Sequence, residues 1–187
     1  PKIPNRKLFI TKNVSYYQMS STDKIRVLII NTGGTIFSKQ TANGLAPMSV
    51  DEARSILQNF LAKMDWLDYT IEFFDPLIDS SRMLPSDWVK IANVIFNNYN
   101  SYDAFLVLHG TDTMAYTASA LTFALRGLNK PVVITGSMKP ILDKDSDAPN
   151  NLIGSIMFIR QRVAGVYIVF NNKVILGVRA SKVDSAS

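Results

Sequence analysis

Two polar corners interrupt otherwise apolar runs. Residues 105–125 read FLVLHGTDTMAYTASALTFAL, so a lone histidine, a glycine, two threonines and an aspartate are packed into one corner. Gly110 lets the backbone turn tightly where a strand would end. Thr111 and Asp112 then fall at a predicted helix N-terminus, where free N–H groups and the dipole favour negative charge. Taken alone, either residue serves equally well as an N-cap, worth about 1 kcal/mol. His109, the single histidine, reads as a hydrogen-bonded packing residue at the end of a buried strand rather than as a catalyst. The second corner is NTGGTI, residues 31–36. Its paired glycines permit positive φ and close approach of the backbone to a ligand, or simply make a tight turn. The G-x-G-x-x-G spacing of a dinucleotide site and the G-K-[ST] of a phosphate loop are both missing.

The elements that must hold these corners alternate along the chain. IRVLIINT (25–32), YTIEFFD (69–75), AFLVLH (104–109) and KPVVITG (130–136) read as buried strands. Between them lie helical patterns. Residues 49–64 start at Ser49 with Glu52 three positions on, a capping box, and put Ala53, Ile56, Leu57 and Phe60 on one face. Residues 84–99 carry Trp88, Ile91, Val94 and Ile95 on one stripe, with Ser86 as the expected cap. Residues 113–127 run to a glycine after the helix, and 150–162 form a fourth helix. Residues 165–178 read as two strands around Asn171-Asn172. The alternation implies an α/β fold, three layers, with a mostly parallel sheet covered by helices on both faces, as in Rossmann and flavodoxin-like domains. Open parallel sheets bind ligands beyond the carboxyl ends of their strands. NTGGTI, DSSRM (79–83), HGTDT and TGSMKP (135–140) all follow strands, and so gather at that edge.

The bulk composition closes several routes. With 47% apolar residues the 187-residue chain can bury a substantial core. It has no cysteine, which excludes disulfides, thiolate metal sites and cysteine nucleophiles and fits a cytoplasmic protein. No apolar stretch reaches the ~18 residues of a membrane span, and the N-terminal residues do not resemble a secretory signal. Asn13-Val14-Ser15 matches the glycosylation pattern without such a signal. Residues 1–24 hold five Lys or Arg and one Asp, a net of +4 out of the formal +5. The basicity belongs to an N-terminal tail and is not a nucleic-acid surface; the domain proper is expected over 25–187.

NTGGTIFS, DPLIDSSRMLPSDW, LVLHGTDTMAYTASAL, KPVVITGSMKPI, SDAPNNL and VRASK occur in the order and rough spacing of the bacterial-type L-asparaginases. The sequence resembles the N-terminal domain of that family over about residues 25–184. DSSRM and SDAPNNL are most similar to its cytosolic type I branch and animal relatives. The resemblance implies hydrolysis of L-asparagine to L-aspartate and ammonia, with no metal and no organic cofactor. By motif position it makes Thr35 the primary nucleophile, Thr111 the second threonine and Asp112 the substrate-binding aspartate. It makes Lys182 the lysine paired with Thr111. Ser80 and Ser81 of DSS, with Gly34 and Gly110, fall at substrate-binding positions. A threonine hydroxyl is a poor nucleophile and needs a base or a strong local field. A lysine serves as that base only where surroundings disfavour its charge. Thr111, Lys182 and Asp112 would form a hydroxyl–amine–carboxylate array, a variant of the triad logic.

The pattern departs from the family in two places. Leu45 in GLAP stands where family members carry a tyrosine. Another tyrosine such as Tyr116 serves, or Thr35 is activated differently, or the alignment is shifted. The family's C-terminal domain, which helps form the dimer and completes the site, is not in this sequence. The resemblance therefore implies a homo-oligomeric full-length protein and a weakly active or inactive chain on its own. The lid segment, residues 37–49, is expected to stay open or unordered. The competing functions are an ammonia-releasing subunit of a tRNA amidotransferase, a glutaminase, and a non-catalytic asparagine-binding or dimerisation homologue. The type I branch also implies a second asparagine site near Ser181 in allosteric members.

Overall fold

The computed structural model describes residues 24–42 and 44–182. The basic tail, apart from Lys24, and the Asn13-Val14-Ser15 pattern lie outside the described residues. In chain order the elements are β1 (Ile25–Asn31), β2 (Ser38–Thr41), β3 (Gly44–Pro47), α1 (Val50–Leu61), β4 (Leu67–Phe73), α2 (Pro85–Asn97), β5 (Ala104–Leu108), α3 (Met114–Ala124), β6 (Pro131–Thr135), α4 (Ala148–Ile159), β7 (Gly165–Phe170) and β8 (Lys173–Leu176). Short 3₁₀ turns cover Thr35–Phe37, Ser80–Arg82 and Gly177–Arg179.

Six strands form one sheet in the order β4-β1-β5-β6-β7-β8. The first five run parallel, and β8 returns antiparallel to β7. Asn171 and Asn172 adopt positive φ, 47° and 57°, as a two-residue hairpin turn requires. Alternation along the strands sorts the core into two layers. Val27, Ile29, Leu106 and Val133 face α1 and α4, with Leu57, Leu152 and Ile156. Leu28, Ile30, Phe105, Val107 and Ile134 face α2 and α3, with Ile91, Ile95 and Leu121. Each such side chain contributes about 1.5–3 kcal/mol on burial, which is why near-continuous apolar strands specify this sandwich.

The crossovers do not all share one hand. The chain steps one way from β1 to β4 through α1, then the other way through α2, α3 and α4. α2 and α3 lie on the face opposite α1, as a common hand requires, but α4 lies on the α1 face. Because right-handed βαβ units are nearly universal, β6-α4-β7 is the left-handed one.

Three local expectations are corrected. Ser86 does not cap α2. The helix begins at Pro85, whose missing N–H suits the first helical position, and Asp87 reaches back to accept from the Leu84 N–H at 2.8 Å. The third helix stops at Ala124, and Gly127 follows it at φ 78°. The lid segment is not unordered: β2 and β3 pair antiparallel, with Asn43 between them outside the described residues. Lys39 on β2 meets Glu52 on α1 at 2.7 Å, tying the hairpin to its neighbour helix.

Candidate active site

In the order β4-β1-β5, the chain leaves β1 and β5 in opposite directions, so the sheet has a topological switch point between them. The crevice that such a point opens is the expected binding position. NTGGTI leaves β1 there, and HGTDT leaves β5.

Two glycines force the exits together. Gly34 has φ +96°, and a methyl group on it would fall 2.6 Å from the Gly110 nitrogen. One on Gly110 would fall 2.2 Å from Ser80 Oγ. Any larger residue would part the three turns, so the Thr35 and Thr111 turns are held together by backbone-to-backbone contact, with the Ser80 side chain packed against Gly110. Thr35 is half-buried at the start of its 3₁₀ turn, and Ser80 is buried. Thr113 Oγ donates to the Ser80 carbonyl at 2.8 Å and locks the third turn to the second. Ser81 is exposed, and its N–H and O–H both go to Asp79, at 3.0 and 2.8 Å. Its hydroxyl is engaged within its own turn. The Ser81 N–H, more than its hydroxyl, holds the Asp79 carboxyl below its ordinary value.

Thr111 and Asp112 are not caps. The residue flanking α3 is Thr113, so both precede the helix and keep their side chains free of it. They meet Lys182 instead. Its Nζ lies 2.9 Å from Asp112 Oδ1 and 3.3 Å from Thr111 Oγ1, residues 70 and 71 positions away in the chain. The hydroxyl–amine–carboxylate array is thus formed. Its side chains stay open to solvent, 27% for Lys182 and 57% for Asp112. A groove of about 200 Å³ borders it, walled by Thr111, Met138, Phe170, Lys173 and Lys182. Thr35 and Ser80 do not line that groove; Thr35 follows Gly34 and Ser80 packs on Gly110 at the glycine junction. Tyr116 points away, 66% exposed on the outer face of α3, and Leu45 is exposed on β3. Ser181 lines the groove. Among the described residues no cluster of three His, Asp or Glu side chains converges as a metal site would, and no helix is long and apolar enough to cross a membrane.

Two positioning groups escaped the sequence reading although both lie in quoted motifs. Asp147 accepts from the N–H groups of Met138 and Lys139 at 3.0 and 3.1 Å. Asn151, buried, donates to the Gly136 carbonyl at 3.0 Å and accepts from the Asn171 N–H at 2.9 Å. Together they pin the loop after β6. Its Ile141 N–H then reaches the Ile36 carbonyl at 3.0 Å and props the Thr35 turn. His109 is a hydrogen-bonded core residue as expected, fully buried, with both ring nitrogens occupied.

Comparison with known proteins gives a consistent picture. The family described as Asparaginase, N-terminal matches residues 26–187. The L-asparaginase of Thermococcus kodakarensis is 44% identical over 164 residues, which are 86% of this chain and 48% of that protein. L-asparaginase 1 of Escherichia coli K12 is 40% identical over 161 residues, 85% of this chain and 48% of that one. The crystal structure of L-asparaginase I from Vibrio cholerae superposes with a TM-score of 0.76 at 38% identity, covering 86% of this chain and 49% of that one. The chain spans about half the length of the curated relatives it matches.

Proposed function

Because this chain belongs to the asparaginase family, as its N-terminal domain, we propose that it carries the reacting groups of an L-asparagine amidohydrolase. The observation that carries the reading is Lys182 Nζ meeting both Thr111 Oγ and Asp112 Oδ1 beside the Gly34–Gly110 contact. Thr35 Oγ attacks the side-chain amide carbon. A C–O bond forms, the hydroxyl proton passes to the base, and negative charge develops on the amide oxygen. The Gly34 and Thr111 N–H groups, which have no acceptor among the described residues, are free to donate to that oxygen. Such donors are worth about 3–4 kcal/mol each in the barrier. The amide nitrogen takes a proton and leaves as ammonia. Water then cleaves the threonine ester, releasing L-aspartate and restoring the hydroxyl. Thr111, Lys182 and Asp112 supply the proton transfers, and Asp112 also attracts the substrate's α-ammonium. Ser80 and nearby N–H groups take the α-carboxylate. No metal or organic cofactor enters these steps. The setting is cytoplasmic and the complete protein is a homo-oligomer, readings that rest on the type I resemblance.

Thr35→Ala tests the assignment. Ammonia release from L-asparagine should vanish while the circular dichroism spectrum and Tm stay as in the parent. Near-parental turnover would end it. A second reading rests on Leu45, which brings no hydroxyl to the hairpin that follows the Thr35 turn. If the chain binds aspartate in differential scanning but never releases ammonia, it is a binding homologue.

A further inference from the structure

His109 is the one histidine of the chain, fully buried where β5 ends, and the reaction above does not use it. Its Nδ1 lies 2.6 Å from the Gly110 carbonyl oxygen and its Nε2 lies 2.8 Å from Thr117 Oγ. Thr117 in turn lies 3.0 Å from Trp88 Nε1. The polarity of this chain is set at Gly110. A carbonyl oxygen can only accept, so the ring nitrogen 2.6 Å from it, Nδ1, carries the proton and donates. In the neutral ring Nε2 is then bare. It accepts from Thr117 Oγ at 2.8 Å and lies 3.1 Å from Met83 Sδ, to which it has no proton to give. Thr117 Oγ in turn accepts from the Trp88 indole N–H, which can only donate.

That last bond reaches the site. The Gly110–Thr111 peptide is planar and trans, so its C=O and N–H point in opposite directions. With the carbonyl drawn into the core toward His109, the Thr111 N–H is turned outward, where it has no acceptor among the described residues. We propose that His109 is a positioning residue: its Nδ1–H holds the Gly110–Thr111 peptide so that the Thr111 N–H stands ready as a fixed donor to the amide oxygen under attack. The inference rests on the amide-hydrolysis reading. It differs from a role in acid–base catalysis, because both ring nitrogens are engaged and neither meets solvent. Burial also holds the imidazole neutral, in keeping with this role.

Two measurements test it. With a single histidine, a ¹⁵N–¹H correlation of the untagged, labelled chain reads the tautomer without assignment. The expected pattern is a protonated Nδ1 and a bare Nε2 at neutral pH. A proton on Nε2, or a cationic ring, overturns the proposal whatever the chain's activity, so this arm separates it from failure of the amidohydrolase reading. The second arm is kinetic. Asn places an N–H near the Nδ1 position, whereas Gln reaches toward Nε2. His109→Gln should lower kcat roughly tenfold with KM unchanged, the scale of a slightly misaligned donor. His109→Asn should retain most of the rate even though it loses the Thr117 contact. Equal losses in the two variants, or losses that follow Tm alone, would mean a packing role only.

Discussion

Burial is the largest influence on His109, and it pushes the imidazole below its ordinary 6.5 against the pull of the Gly110 carbonyl. The unfolded chain therefore binds a proton in a range where the folded chain refuses it. Stability is complete above about pH 6.5 and falls as the pH drops toward the lowered folded value. With one histidine and no cysteine, few other side chains titrate in that interval. The exposed Glu52, held at about 2 mainly by its hydrogen bond from Lys39, and Asp79 lose their contributions only at lower pH. Thermal denaturation between pH 8 and 5 should show a decline below pH 6.5 that is flattened in His109→Gln. A level Tm across that range in the parent chain would contradict it. At this scale the sequence showed which residue types were unusual but not which met. Lys182 lies 70 positions from Asp112, and no periodicity relates them; only motif resemblance paired them before the distances did. Asp147 and Asn151 went unassigned for a related reason: apart from the bond between them, their acceptors and donors are backbone groups, which leave no residue-type signature.

At the scale of elements, the strands and helices were legible because apolar runs, caps and turn residues agreed with one another. The Ser49–Glu52 box was readable in advance and is present, with the Glu52 N–H 3.2 Å from Ser49 Oγ and the Ser49 N–H 2.9 Å from Glu52. Ser86 misled because serine is a good cap in isolation, whereas Pro85 beside it has no N–H to be capped and starts the helix first. Loops were the weakest part of the reading, and the one after β6 carries a prediction. Asp147 gathers the N–H groups of Met138 and Lys139 and the Asn151 amide. Asp147→Ala strands these donors, two of them on the backbone of a loop that props the Thr35 turn. A loss of about 2–3 kcal/mol is expected from charge-assisted bonds of this kind. Turnover should fall further than stability, since Asp147→Asn keeps an acceptor and should restore most of the fold but only part of the rate. Unchanged kcat in Asp147→Ala would show that the loop does not govern the site.

At the scale of the molecule, strand order and crossover hand were invisible in the sequence, because the central strands β1, β5 and β6 are alike in being apolar almost throughout and a helix's apolar stripe does not say which face of the sheet it covers. Both prove decisive for the site. The order puts the switch point between β1 and β5, and the left-handed β6-α4-β7 unit carries its own β6–α4 loop to the α1 side, where Ile141 can bond Ile36. The described residues do not cover the array. Asp112 remains more than half exposed and Lys182 opens onto the groove walled by Phe170 and Lys173. Charges in that setting are screened by water, and the proton transfers they must make lose the preorganisation on which such sites depend. The relatives carry about as much chain again. Joining the second half of the Thermococcus kodakarensis protein after this domain should therefore raise kcat/KM for L-asparagine by a factor on the order of 10², the scale of a well-placed against a loosely placed reacting group. The rise should appear mainly in kcat, because in the proposed mechanism Ser80, Asp112 and the glycine junction of this domain supply the ammonium and carboxylate contacts. If the chain alone turns over as fast as the joined protein, solvent at the array is harmless and the second half has another task.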